Sequence, residues 1–255
     1  MKIRALRTWI PAGKSAGLLA LALAAGLAGC ATERIQHAVS LHYEGTDAPR
    51  LFQGAQSPTV VVTPFQDRRV NPERLGVYYW QRLIVDMIPR GGTASSALTA
   101  MAAEFLQRMG MRPVEGRWDG EATSLHAIPA DYALYGEILD LRFTGEGTLR
   151  DAANKGKVTI EVRLGSRANR TVVRRSVEVA PDETQFILFD NRYEHINRME
   201  QVIRRSVSRA MRDSLTDLVR RTGAGQAPGQ APQGPARELP PAPGEPNPFE
   251  RFQQR

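Results

Sequence analysis

The only cysteine in the 255 residues is Cys30, so the single nucleophilic thiol of the chain stands alone. Disulfides and cysteine-based metal sites are thereby excluded. His126 and His195 are isolated. No His-x-x-x-His, no histidine spaced to a carboxylate as a metal site requires, and no Gly-x-Ser-x-Gly or phosphate loop occurs. Gly145-Glu146-Gly147 is too short to cradle a phosphate and reads as part of a hairpin connection. Asp67 beside Arg68 reads as a loop salt bridge or strand-end cap. The residues therefore point away from an enzyme, and no metal or cofactor is expected.

Arginine is the more informative residue. Between Arg163 and Arg221 there are thirteen Arg, no Lys and eight acidic residues. Guanidinium forks bind phosphate and carboxylate in two-point geometry, which suits lipid head groups or acidic protein partners. Arg198, Arg205, Arg209 and Arg212 fall on the outer side of one amphipathic segment and form a possible anionic-partner face; a solvated helix face is the alternative.

Cys30 closes the stretch Leu27-Ala28-Gly29-Cys30. This stretch ends an apolar run of 13 residues, Ala16 to Ala28, preceded by Lys2, Arg4, Arg7 and Lys14. Basic, apolar and small-residue regions stand in the order of an export signal. A helical span needs about 20 apolar residues, so the run reads as a removed signal rather than a retained span. Leu-Ala-Gly-Cys resembles the lipobox of bacterial lipoproteins. That resemblance implies cleavage between Gly29 and Cys30, diacylglycerol on the Cys30 thiol, and a membrane as partner through several acyl chains. Several chains anchor stably where one does not. Ala31 and Thr32 follow, with no Asp in the second position. This resembles the sorting pattern for outer-membrane retention in Gram-negative bacteria and implies a lipid-anchored protein facing the periplasm. The signal takes four basic residues with it, leaving 30 basic against 27 acidic, about +3. The precursor's +7 is therefore no nucleic-acid footprint, and no nucleic-acid partner is expected.

Four regions result: a signal peptide 1–29, a lipidated tether 30–57, an α/β domain 58–222, and a Pro/Gly-rich tail 223–255 too poor in apolar residues to fold alone. The tether is polar and weakly patterned, with Val39 to Tyr43 as a weak edge strand. Thr59 to Thr63, β-branched and flanked by Pro58 and Pro64, has the composition of a buried central strand. Val77 to Ile88 reads as strand or hairpin. Ala97, Leu98, Met101, Ala102, Phe105, Leu106 and Met109 recur at helical spacing over Ser96 to Met109, with Gly110 placed for a left-handed C-terminal residue. Met111 to Val114 is a short strand. Tyr132 to Phe143, Val158 to Leu164 and Thr171 to Val179 form an antiparallel meander, the first two joined by a connection from Gly145 to Gly156. Phe186-Ile187-Leu188-Phe189 is an apolar cluster that plugs the domain or faces a partner. A long amphipathic helix, Tyr193 to Arg221, closes the fold. The fold class is α+β, a single small domain with a mostly antiparallel sheet of four or five strands packed on two amphipathic helices.

The segment Val60-Val61-Val62-Thr63-Pro64-Phe65-Gln66-Asp67-Arg68-Arg69, the later Leu75-Gly76, the helix ending Met109-Gly110-Met111, the meander and the closing helix are together similar to small α/β domains of envelope lipoproteins. These are the YajG-type family and, more loosely, the auxiliary lipoproteins of lipid ABC transporters. The resemblance implies no catalytic residues. Three functions are consistent with it: a binding or accessory module in envelope assembly or transport, a lipid-carrying auxiliary of an ABC-type system, and an activator of a cell-wall synthase. The last would use the reach of the 27-residue tether, at most about 90 Å. The carrier predicts an apolar pocket between sheet and helix; the binding module predicts a filled core.

Overall fold

The computed structural model describes residues 32–222 except 46–47, 53–56, 149 and 187–190. Its spine is a hairpin of two strands of 16 residues each, β7 (Tyr132–Gly147) and β8 (Asp151–Ser166). Thr148 closes it: its amide donates to the Asp151 carbonyl (2.8 Å) and its hydroxyl accepts from the Asp151 amide (3.0 Å). The connection expected from Gly145 to Gly156 is therefore mostly strand. Its glycines serve close approach instead. A Cβ on Gly145 would meet the Tyr78 ring at 2.1 Å, and one on Gly156 the Phe143 ring at 2.2 Å.

Three short strands line one side of β7 in succession, all parallel to it. They are β2 (Thr59–Val62) along 132–134, β3 (Gln66–Asp67) along 137–138, and β4 (Gly76–Trp80) along 143–147. Beyond β2 lies parallel β6 (Arg112–Glu115). Beyond β4 come antiparallel β5 (Leu83–Pro89) and then β1 (Glu33–Val39), parallel to β5. On the other side of β8, β9 (Thr171–Val179) covers 158–166 and β10 (Asp182–Phe186) covers 151–155, both antiparallel. The sheet is thus mixed and ten-stranded, which corrects the expectation of four or five mostly antiparallel strands. The meander is present as expected. The parallel pairs missed by sequence reading join strands far apart in the chain and leave no local signature.

Helix α1 (Ala94–Arg108) matches the apolar periodicity of its sequence, starting two residues earlier than expected. Thr93 is its N-cap, in a capping box with Ser96 that satisfies two of the open amide donors of the first turn. Gly110 has φ +93°, a left-handed conformation, and a Cβ there would meet the Phe52 carbonyl oxygen at 2.3 Å. Helix α2 (Arg192–Arg221) is capped by Asn191, whose side-chain oxygen accepts from the Tyr193 amide. Its face bearing Ile196, Met199, Val202, Ile203, Val207, Met211, Leu215 and Leu218 is buried. Both helices pack on one face of the sheet in a single core with Val60, Val62, Tyr78, Leu134 and Ile160. The opposite face holds a smaller cluster, Val61, Trp118, Leu125, Ile128, Ala133 and Tyr135, covered by a 3-10 turn at Ala122–Ala127. β2 is buried on both faces, as its β-branched run predicts, but lies second from the β6 edge rather than at the centre of the sheet.

The stretch expected to be a tether contributes β1 to the sheet and buries Val39 and Tyr43 in the core. The strand lies at Glu33–Val39, N-terminal to the weak strand expected at Val39 to Tyr43. Its alternation was obscured because β1 is an edge strand with only its C-terminal end deep in the core.

Candidate functional site

Cys30 and Gly29 lie outside the described residues, as do the signal, Ile187, Leu188 and Phe189, and the tail. What the structure adds to Cys30 is proximity. β1 begins at Glu33, so only three residues of chain, at most about 10 Å of backbone, separate Cys30 from the first strand.

The four outer arginines of α2 are exposed or half-buried, and each has a carboxylate. Arg198 meets Glu194 (3.2 Å), Arg205 meets Glu183 (3.0 Å), and Arg209 and Arg212 meet Asp213 (3.6 and 3.1 Å). Arg205, Arg209 and Arg212 line one open groove with Tyr43, Glu44 and Ser208, while Arg198 does not. Nearby Arg204 binds Glu44 (2.9 Å) and Glu200 (3.7 Å). The face is therefore charge-compensated. Exposed pairs of this kind contribute about 0–1 kcal/mol each, so an anionic ligand could replace a carboxylate at little cost.

Asp67 pairs with Arg69 rather than Arg68. The Arg69 guanidinium, 5% exposed, uses all five of its donors. It forms a fork with the Asp67 carboxylate (2.8 and 2.7 Å) and donates to the carbonyls of Pro72, Arg74 and Leu141. This pins the charged loop 68–75 to β7, a structural role. Arg68 reaches Glu137 instead (3.3 Å). Tyr135 also donates to Glu137 (2.7 Å) and is the main cause of that carboxyl's depressed pKa.

Asp86, nearly buried on β5, accepts two hydrogen bonds from Arg34 of β1 (2.6 and 2.9 Å) and one from Arg74 (3.2 Å). The Arg34 contact holds its carboxyl below the usual carboxylate range, against the desolvation that would raise it. This pair fastens the first strand to the sheet.

His195 is wholly buried in the first turns of α2, its Nδ1 2.7 Å from the Tyr78 hydroxyl and its ring 5.9 Å from that of Trp80. Burial pushes the Tyr78 phenol pKa up, so the hydroxyl stays neutral. The wholly buried Asn154 lies beside them across Gly145. This polar cluster was not foreseen, because its members are brought together by the β4–β7–β8 pairing. His37, by contrast, stands 2.7 Å from Glu200 at the surface of α2. Among the described residues no group of three His, Cys, Asp or Glu is placed to hold a metal, and no helix is long and apolar enough to cross a membrane.

No family model matches the chain, and no curated protein does. Solved structures do resemble it at low identity. Protein XCC0632 from Xanthomonas campestris, described under the family model DUF330, is 11% identical with a TM-score of 0.45, covering 75% of this chain and 99% of its own. The PelC dodecamer from Paraburkholderia phytofirmans is 14% identical at TM-score 0.34, covering 65% and 86%. Lipoprotein GNA1162 from Neisseria meningitidis is 14% identical at 0.27, covering 59% and 97%. The likeness is distant and concerns general architecture, shared with bacterial lipoprotein structures; it carries no residue roles across.

Proposed function

We propose that the chain is a non-enzymatic lipoprotein, anchored in the outer membrane through acylated Cys30, whose domain is a periplasmic binding or accessory module in envelope assembly or transport. The observation that carries this reading is the position of Leu27-Ala28-Gly29-Cys30 at the end of an apolar run and three residues before the first strand. Acyl chains there confine the domain to the membrane surface and raise its effective concentration for a neighbouring partner. The reach available to a synthase activator before the fold begins shrinks with the tether, from about 90 Å to about 10 Å. Cys30→Ser is expected to move the protein from the membrane to the soluble fraction with its circular dichroism unchanged, and the native protein to carry acyl mass on Cys30. Membrane retention of the variant, or an unmodified native Cys30, overturns the anchor.

A carrier of an apolar ligand is the second reading. The space between sheet and helices is filled by wholly buried side chains, as a binding module requires. An open groove of about 470 Å³ between α1 and the edge strand β6, lined by Val62, Pro64, Thr99, Ala103, Pro113 and Val114, is where an acyl chain would lie on this reading.

A further inference from the structure

The strand register collects one end of six strands into a single row. Glu33 pairs with Leu83, Leu83 with Trp80, Trp80 with Gly147, Gly147 with Ala152, and Ala152 with Gln185. At about 4.8 Å per strand the row is about 24 Å wide. Phe186 lies one residue further out, opposite Asp151. Helix α2 starts at this same end, since a Cβ on Gly147 would meet His195 Nδ1 at 2.9 Å.

This end exposes what a core would bury. Phe186 is 64% exposed at the tip of β10, and Tyr193 is 62% exposed in the first turn of α2 with Arg192 stacked over its ring at 5.0 Å. Arg82 at the β4–β5 turn and Arg150 at the β7–β8 turn are also exposed. Glu33, Glu146, Asp151 and Glu194 stand among them, so this end carries charges of both signs. Aromatic rings interleaved with arginine are the residues that settle at a membrane–water boundary, rings at head-group depth and guanidinium groups on phosphates. The start of β1 supplies the independent reason to place a bilayer here. With Cys30 only three residues before Glu33, the acyl chains enter the membrane within about 10 Å of this row.

We propose that this end of the domain rests on the membrane surface, with Phe186 and Tyr193 in the head-group layer and Arg150 and Arg192 turned to lipid phosphates. The inference rests on the anchored-lipoprotein reading of Cys30 and adds an orientation to it. The β7–β8 hairpin then rises from the membrane, holding the turn at Ala168 about 50 Å off along β8.

The test uses the full-length acylated protein, in which a cysteine introduced elsewhere is the only free thiol. Phe186→Cys and Ala168→Cys, both at exposed positions, are labelled with an environment-sensitive fluorophore. The proteins are then reconstituted into vesicles of phosphatidylethanolamine and phosphatidylglycerol containing spin-labelled phosphatidylcholine. The expected result is quenching severalfold stronger at 186 than at 168. Equal or absent quenching at 186 in protein that still floats with the vesicles overturns the orientation while leaving the anchor intact. Protein that stays in solution and takes up label at Cys30 overturns the anchor itself, and the orientation with it.

Discussion

Asp86 shows how much one carboxylate can do when it is nearly dry. Two guanidinium groups from different segments converge on it, and one of them, Arg34, belongs to the first strand. A carboxyl whose folded pKa lies below its unfolded value near 3.9 stabilises the fold at neutral pH. That contribution persists above about pH 4 and fades as pH falls through the lower folded value. Asp86→Asn is therefore expected to lower the urea midpoint at pH 7 and to narrow the gap between the midpoints at pH 7 and pH 2.5. An equal acid response in both proteins would show that Asp86 does not carry it. The same pair explains why a strand with so little apolar surface stays on the sheet.

At the scale of elements, the two long strands depend on residues that usually interrupt strands. Gly147 sits under the Tyr78–His195–Trp80 cluster, where an added Cβ would come within 2.4 Å of the Tyr78 hydroxyl, 2.8 Å of Trp80 and 2.9 Å of His195. Tyr78 and His195 cannot move far, since both are wholly buried. Gly147→Ala is expected to cost about 1–3 kcal/mol in thermal or denaturant unfolding, although alanine ordinarily suits a strand better than glycine. A stabilised variant would mean that α2 shifts freely over β7. Glycines 145 and 156 read in the sequence as loop for the same reason: their role is set by aromatic rings distant in the chain. The helices, by contrast, were legible to within two residues at each end. Their signals, a 3.6-residue apolar period in both and Gly110 as stop in α1, are all local.

For the whole molecule, the question is whether the filled core is the working state. The groove beside α1 would have to widen to hold a lipid, whereas a binding module keeps its core closed. Native mass spectrometry of the acylated protein released gently from membranes separates these states. The expected spectrum shows the protein with its own acyl chains and no further lipid; a stoichiometric extra lipid would favour the carrier. Sequence by itself determined what depends on neighbours in the chain: the two amphipathic helices, the buried β-branched strand and the antiparallel meander. Tertiary structure alone decided the parallel pairings around β7, the burial of His195 against Tyr78, the neutralisation of the α2 arginines, and the recruitment of β1 from a supposed tether. Each of these joins residues many positions apart, where the energy lies in contacts between segments and no local pattern records it.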